Sequence, residues 1–211
     1  MKRSSGGALA LYLIWGLSVC ASHSMAQDDC AGREPGRHHF AQFVSDVSLP
    51  LCAITAGYHL LSEDMSEVET GKRMADAIVM SVGTAGLLKS VISDRRPAPN
   101  DSDSDGMPSG HSAICFATAA VIAERKPSVA VPAYCGAALV GWSRHHCRAH
   151  YWDQVLVGAA LGTYLGRRAG KGDLGIWGGR TSDGLRLSFG GHGARQAGAS
   201  PQLQVVYQSS F

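Results

Sequence analysis

The stretch 141–158 reads Gly-Trp-Ser-Arg-His-His-Cys-Arg-Ala-His-Tyr-Trp-Asp-Gln-Val-Leu-Val-Gly, three histidines and two arginines set against an apolar, small-residue run. That run, 155–165, predicts a helix, and His150 stands near its start. Asp153 follows at three residues and Gln154 at four, spacings that put a hydrogen-bond acceptor on the histidine's own helix face. An imidazole held by an acceptor on one ring nitrogen offers the other as a nucleophile or base. Arg144, six residues earlier, adds a planar fork suited to phosphate or carboxylate.

Two earlier segments carry groups that also want an oxyanion. Lys89 and Arg96 lie seven residues apart, just under two helical turns, so a helix running on to Arg96 would show both on one side. Pro108-Ser109-Gly110-His111 predicts a helix start, whose first backbone N–H groups face any anion placed before them. Ser109 adds a hydroxyl there, and Gly110 permits close approach of the backbone. Three cations, a helix N-terminus and the pair His111 and His150 supply a charge clamp, a nucleophile and an acid. That is a complete set for phosphoryl transfer, and neither a metal nor another cofactor is expected.

Taken in order, Lys89-x6-Arg96-Pro97, Pro108-Ser109-Gly110-His111 and Ser143-Arg144-x5-His150 resemble the signature of the type 2 phosphatidic acid phosphatase superfamily, which includes class A bacterial acid phosphatases and vanadium haloperoxidases. The resemblance covers 89–168 and, more loosely, the helices from Phe40 onward. It implies an all-α bundle of about five core helices with a phosphate pocket at one end. It also implies that Lys89, Arg96 and Arg144 hold the phosphate oxygens with Ser109 and the N–H of Gly110. His150 would attack phosphorus, and His111 would protonate the leaving oxygen and then activate water. The family pattern sets an Asp four residues after the nucleophile, where this chain has Gln154; its Asp comes one residue early, at Asp153. Because Val155-Leu-Val-Gly158 keeps the family register, Gln154 is the positional equivalent and Asp153 the charged alternative. A neutral carbonyl still fixes the tautomer, but stabilises an imidazolium less than a carboxylate does.

The elements that must position these residues are five predicted helices: 40–61, with Pro50 as a kink or boundary, 68–93, 112–123, 129–142 and 152–168. Pro97 and Pro99 stop the second. His145 and His146 match no role in the superfamily and read as solvated residues leading into the last helix. From Gly170 the composition turns to Gly, Ser, Arg and Gln. The alternations Leu185-x-Leu187-x-Phe189 and Leu203-x-Val205-x-Tyr207 predict a short β-hairpin-like tail.

Lys2 and Arg3, an apolar run over 8–19, and Ser24-Met25-Ala26 predict an export signal. The expected division is a signal peptide at 1–26, a helical domain at 27–170 and a Gly-rich tail at 171–211, with the chain exported to the periplasm. No uninterrupted apolar run beyond the signal reaches the roughly 18 residues that argue for a span, so the sequence does not demand embedding; peripheral contact and entry through longer mixed helices both stay open. Five cysteines follow the signal, an odd number, and Cys115 and Cys135 read as small core residues of apolar helices. No C-x-x-C spacing suggests structural zinc. Asp101-x-Asp103-x-Asp105-Gly106 opens like a calcium loop, but its twelfth position is Ser112 where a Glu is needed. A net charge of +2 gives no field to steer nucleic acid.

The expected activity is a metal-independent phosphatase acting on phosphorylated small molecules or lipid (pyro)phosphates. A vanadate-dependent haloperoxidase and a non-catalytic anion-binding envelope protein are the alternatives. The presence of both His111 and His150 favours catalysis. Lipid and soluble phosphates present the same phosphoryl group, and the oligomeric state is open.

Overall fold

The computed structural model describes residues 39–97 and 106–176, with the backbone of 186–188 and 204–206. Five α-helices make up the bundle: α1 His39–Leu60, α2 Met65–Val91, α3 Gly110–Arg125, α4 Ala130–His146 and α5 Trp152–Lys171. A 3-10 turn, Pro127–Val129, leads into α4. The all-α class and the five expected helices are what the bundle has. Two three-residue strands, Arg186–Ser188 and Gln204–Val206, pair antiparallel with Leu187 opposite Val205, within the two alternating segments. The signal at 1–26, the rest of the tail, and Asp101, Asp103 and Asp105 of the acidic loop lie outside the described residues.

α3 is the central helix because its small and apolar residues leave it no polar face. Ala113, Ile114, Cys115, Ala117, Ala119, Ala120 and Val121 are all buried, under α2, α4 and α5. Among the described helices α3 packs most extensively against α5. Gly158, Gly162 and Gly166, one per turn, bring bare backbone to α3. A Cβ there would strike the carbonyl oxygens of Ser109, Ala113 and Ala117 in turn. Ridge-in-groove packing normally keeps helix axes about 8–10 Å apart, and glycine is what lets two backbones meet this way. The result locks the start of α3 to the start of α5, where the Ser109 N–H donates to the Gln154 carbonyl at 3.0 Å.

α1 buries Val44, Cys52 and Ala56 but leaves Phe40, Phe43, Val47, Leu51, Ile54 and Tyr58 exposed, with Leu61 just past its end exposed as well. These recur at steps of three and four residues, so they form one apolar stripe along the whole helix. By length and composition, α1 and α2 are each apolar enough to cross a membrane. At 22 residues, α1 reaches about 33 Å, against a hydrocarbon layer of about 30 Å. The residues that interrupt the apolar runs in sequence, such as Ser45, Ser48 and Ser81, are buried against the bundle rather than set on its outer face. Pro50 neither ends α1 nor bounds it.

Several boundaries shift in ways that matter for the site. α2 stops at Val91, so Lys89 is helical while Arg96 sits in the following loop rather than two turns along the same helix. α4 runs on through Ser143, Arg144, His145 and His146. Cys115 is buried as expected, but Cys135 is exposed: it occupies the outer side of α4. Cys147 is disulfide-bonded, and Cys52, Cys115 and Cys135 are free, so its partner lies outside the described residues.

Candidate active site

The turn between α4 and α5 delivers the nucleophile candidate. The Arg144 carbonyl accepts from the N–H groups of Ala149 (3.1 Å) and His150 (3.2 Å), which folds the chain back over the end of α4. Arg148, at φ 54°, takes the left-handed conformation this reversal requires. His150 arrives with only 1% of its surface exposed. Its Nδ1 stands 3.0 Å from Gln154 Oε1, and the same oxygen accepts the Tyr151 N–H at 3.1 Å. The Gln154 amide nitrogen donates to Asp94 Oδ2 and to the Arg95 carbonyl, each at 2.7 Å. Asp153 faces outward and is exposed. The helix register therefore brings Gln154, not Asp153, to the His150 ring.

Around that ring the structure gathers the other expected residues. Arg144, 2% exposed, lies in the last turn of α4; Lys89 lies in the last turn of α2; Arg96 comes from the loop behind it. Ser109 takes the N-cap position of α3, with Gly110 and His111 as the first residues of the helix. The Ser109 hydroxyl is buried and, among the described residues, has no hydrogen-bond partner. It is free to turn toward an anion. Ser143, by contrast, spends its hydroxyl on the Val140 carbonyl at 2.7 Å.

Burial holds His111 well below the usual histidine range, and Arg144, His150, Arg96 and Lys89 push it the same way through space. Burial likewise lowers His150, followed by Arg144 and Arg96; the Gln154 hydrogen bond raises it in part, and Lys89 lowers it further. Both rings are therefore neutral near pH 7, and the three cations act on both. With Nδ1 carrying its proton toward Gln154, the His150 Nε2 lone pair is available as a nucleophile. Three positive side chains and a helix N-terminus in a buried setting suit a doubly charged anion.

Two positioning partners had no signal in the sequence. Ser45 of α1 accepts from Arg144 Nη1 at 2.6 Å, and Asp94 accepts from Gln154. His146 is exposed and His145 half-buried ahead of α5, as expected of solvated residues there. They close α4, stacked on Trp152 and Trp142 with ring centroids 4.5 Å and 4.8 Å apart. With Pro97, Arg148 and Tyr151 they line a cleft of about 460 Å³, whose walls are chain neighbours of Arg96 and His150. Among the described residues, no group of three or more His, Cys, Asp or Glu side chains is arranged to hold a metal ion.

Residues 73–169, which take in most of the helical bundle, match the family model described as the PAP2 superfamily. Among solved structures, the chain is similar to LpxE of Aquifex aeolicus, with a TM-score of 0.53 and 23% identity over 66% of this chain and 88% of that one. It is also similar to a transmembrane PAP2-type phosphatidylglycerolphosphate phosphatase from Bacillus subtilis, with a TM-score of 0.53 and 21% identity over 79% and 94% of the two chains. No curated protein matches the chain.

Proposed function

We propose that the chain is a membrane-associated, metal-independent phosphatase that cleaves lipid phosphates through a phosphohistidine on His150. The observation that carries this is the buried His150 ring, held by Gln154 at Nδ1 and acted on by Arg144, Arg96 and Lys89. Lys89, Arg96 and Arg144, with the Ser109 hydroxyl and the Gly110 N–H, bind the phosphoryl oxygens. The incoming negative charge reverses the field at His111, which takes up a proton. His150 Nε2 attacks phosphorus, the bond to the leaving oxygen breaks, and that oxygen takes its electron pair and the His111 proton. Neutral His111 then removes a proton from water, whose oxygen attacks phosphorus. The P–N bond breaks, its electron pair returns to His150, and phosphate leaves.

A lipid substrate is favoured over a soluble monoester by the apolar stripe of α1 and by the likeness to a transmembrane phosphatidylglycerolphosphate phosphatase. α1 starts at the same end of the bundle as the site, since its Ser45 holds Arg144. A signal peptide removed outside the cytoplasm would leave that end, and the reaction, on the outer side. The test is phosphate release by the detergent-purified chain from a lipid phosphate in mixed micelles and from p-nitrophenyl phosphate, both with EDTA. The expected result is faster release from the lipid, insensitive to EDTA and blocked by vanadate. Activity lost on chelation and restored by Zn²⁺ or Mg²⁺ would contradict the reading.

A further inference from the structure

We infer that Asp94 is a positioning residue for His150, acting through the side-chain amide of Gln154. The inference rests on His150 as the nucleophile. Asp94 Oδ2 and the Arg95 carbonyl, each 2.7 Å from Gln154 Nε2, offer only acceptors, so the amide must turn its NH₂ toward them. Its carbonyl then points to His150 Nδ1 and to the Tyr151 N–H, 3.0 Å and 3.1 Å away. A carbonyl there accepts only from a protonated Nδ1, which leaves Nε2 bare. Asp94 thus sets the His150 tautomer from two side chains away.

The relay also accounts for the missing charge behind the histidine. A neutral amide alone stabilises a growing imidazolium weakly. An amide that donates to a carboxylate and to a backbone carbonyl is polarised toward its oxygen, and so accepts more strongly. The negative charge that an Asp at position 154 would supply is held instead by Asp94, one amide further out. Gly106 completes the arrangement. Its N–H donates to the Asp94 carbonyl at 2.8 Å, and a Cβ on it would collide with Gln154 Nε2. The bare backbone at Gly106 leaves the room through which the amide reaches Asp94.

The test compares the full chain with Asp94→Asn, Gln154→Glu and the double variant carrying both, in detergent, between about pH 5 and pH 8. In Gln154→Glu two carboxyl groups face each other and can be accommodated only by sharing a proton. Its turnover is expected to fall about tenfold to a hundredfold at neutral pH, and to recover relative to wild type on acidification. Adding Asp94→Asn supplies an amide donor to the new carboxylate and should restore at least about tenfold of the loss. A purely structural Asp94 would give neither the pH dependence nor the rescue. If the double variant is no better than Gln154→Glu, with all variants binding vanadate like wild type, the relay is wrong. If wild type itself turns over no phosphoester, the catalytic reading fails. The relay is then judged on the ¹⁵N spectrum of histidine-labelled protein. A His150 that keeps its proton on Nδ1 in wild type and loses that preference in Asp94→Ala supports it, and an unchanged tautomer overturns it.

Discussion

His150 Nδ1 and Gln154 Oε1 lie 3.0 Å apart, the contact that orients the ring of the proposed nucleophile. Gln154→Ala removes the acceptor and should cut turnover by about tenfold to a hundredfold, the scale of a lost buried hydrogen bond of about 1.4–3 kcal/mol. Asp153 is exposed, so Asp153→Asn should cost little. Steady-state turnover on one lipid phosphate distinguishes the two; a crippled Asp153→Asn beside a silent Gln154→Ala would invert the assignment.

The two histidines should fail differently. His150→Ala removes the nucleophile and should abolish turnover on every substrate. His111→Ala removes the proton donor, which matters for an alkoxide leaving group and little for p-nitrophenolate. Its loss should therefore be much larger on a lipid phosphate than on p-nitrophenyl phosphate. Equal losses on both would reject His111 as the acid.

Acid should loosen the fold through these same rings. Burial, with Arg144 next in weight, lowers both histidines in the folded state, so below about pH 6.5 the unfolded chain binds protons that the native one refuses. Their contribution to stability is complete above that value and is lost as pH falls toward the lowered folded pKa. Vanadate places negative charge beside both rings and raises their proton affinity, which narrows the gap. Melting temperatures measured from about pH 7 down to pH 5 should fall, and fall less with vanadate bound. An acid slope untouched by vanadate would show that the destabilisation comes from other groups.

The glycines of α5 fix the site from a distance. Gly162→Ala would press a methyl group onto the Ala113 carbonyl and should destabilise by about 1–3 kcal/mol. Gly136 on α4 has nothing within 4 Å of where a Cβ would stand. Gly136→Ala should therefore be neutral or stabilise by up to about 1 kcal/mol, as helix propensity alone dictates. Denaturant midpoints for the pair separate packing from propensity, and equal effects would mean the α3–α5 contact is looser than described.

The residues that share a helix or a short motif were legible from their spacing. Gln154 could be chosen over Asp153 because Val155 to Gly158 fixes the helix phase, and Lys89, Ser109 and Arg144 each sit in a local pattern. Arg96 sits in a local pattern too, but not on a continued helix face, since α2 ends at Val91 and the loop carries it. Contacts between distant segments left no periodic trace. Asp94 and Gln154 are 60 residues apart, and Ser45 and Arg144 are 99 apart. The Gly158, Gly162 and Gly166 spacing was present in the sequence, but a run of small residues does not say which helix it meets. The outward apolar face of α1 was hidden in the sequence because its serines interrupt the apolar run there while being buried against the bundle in space.

The central claim is a covalent phosphate on His150, and rapid acid-free quenching with a ³²P-labelled lipid phosphate tests it most directly. The account predicts that label appears on the chain within the first turnover and is lost in acid but not in alkali. It should map to the peptide containing His150, accumulate in wild type when water attack is slowed, and be absent in His150→Ala. Full turnover in wild type with no trapped label on that peptide, or label retained in His150→Ala, would contradict it.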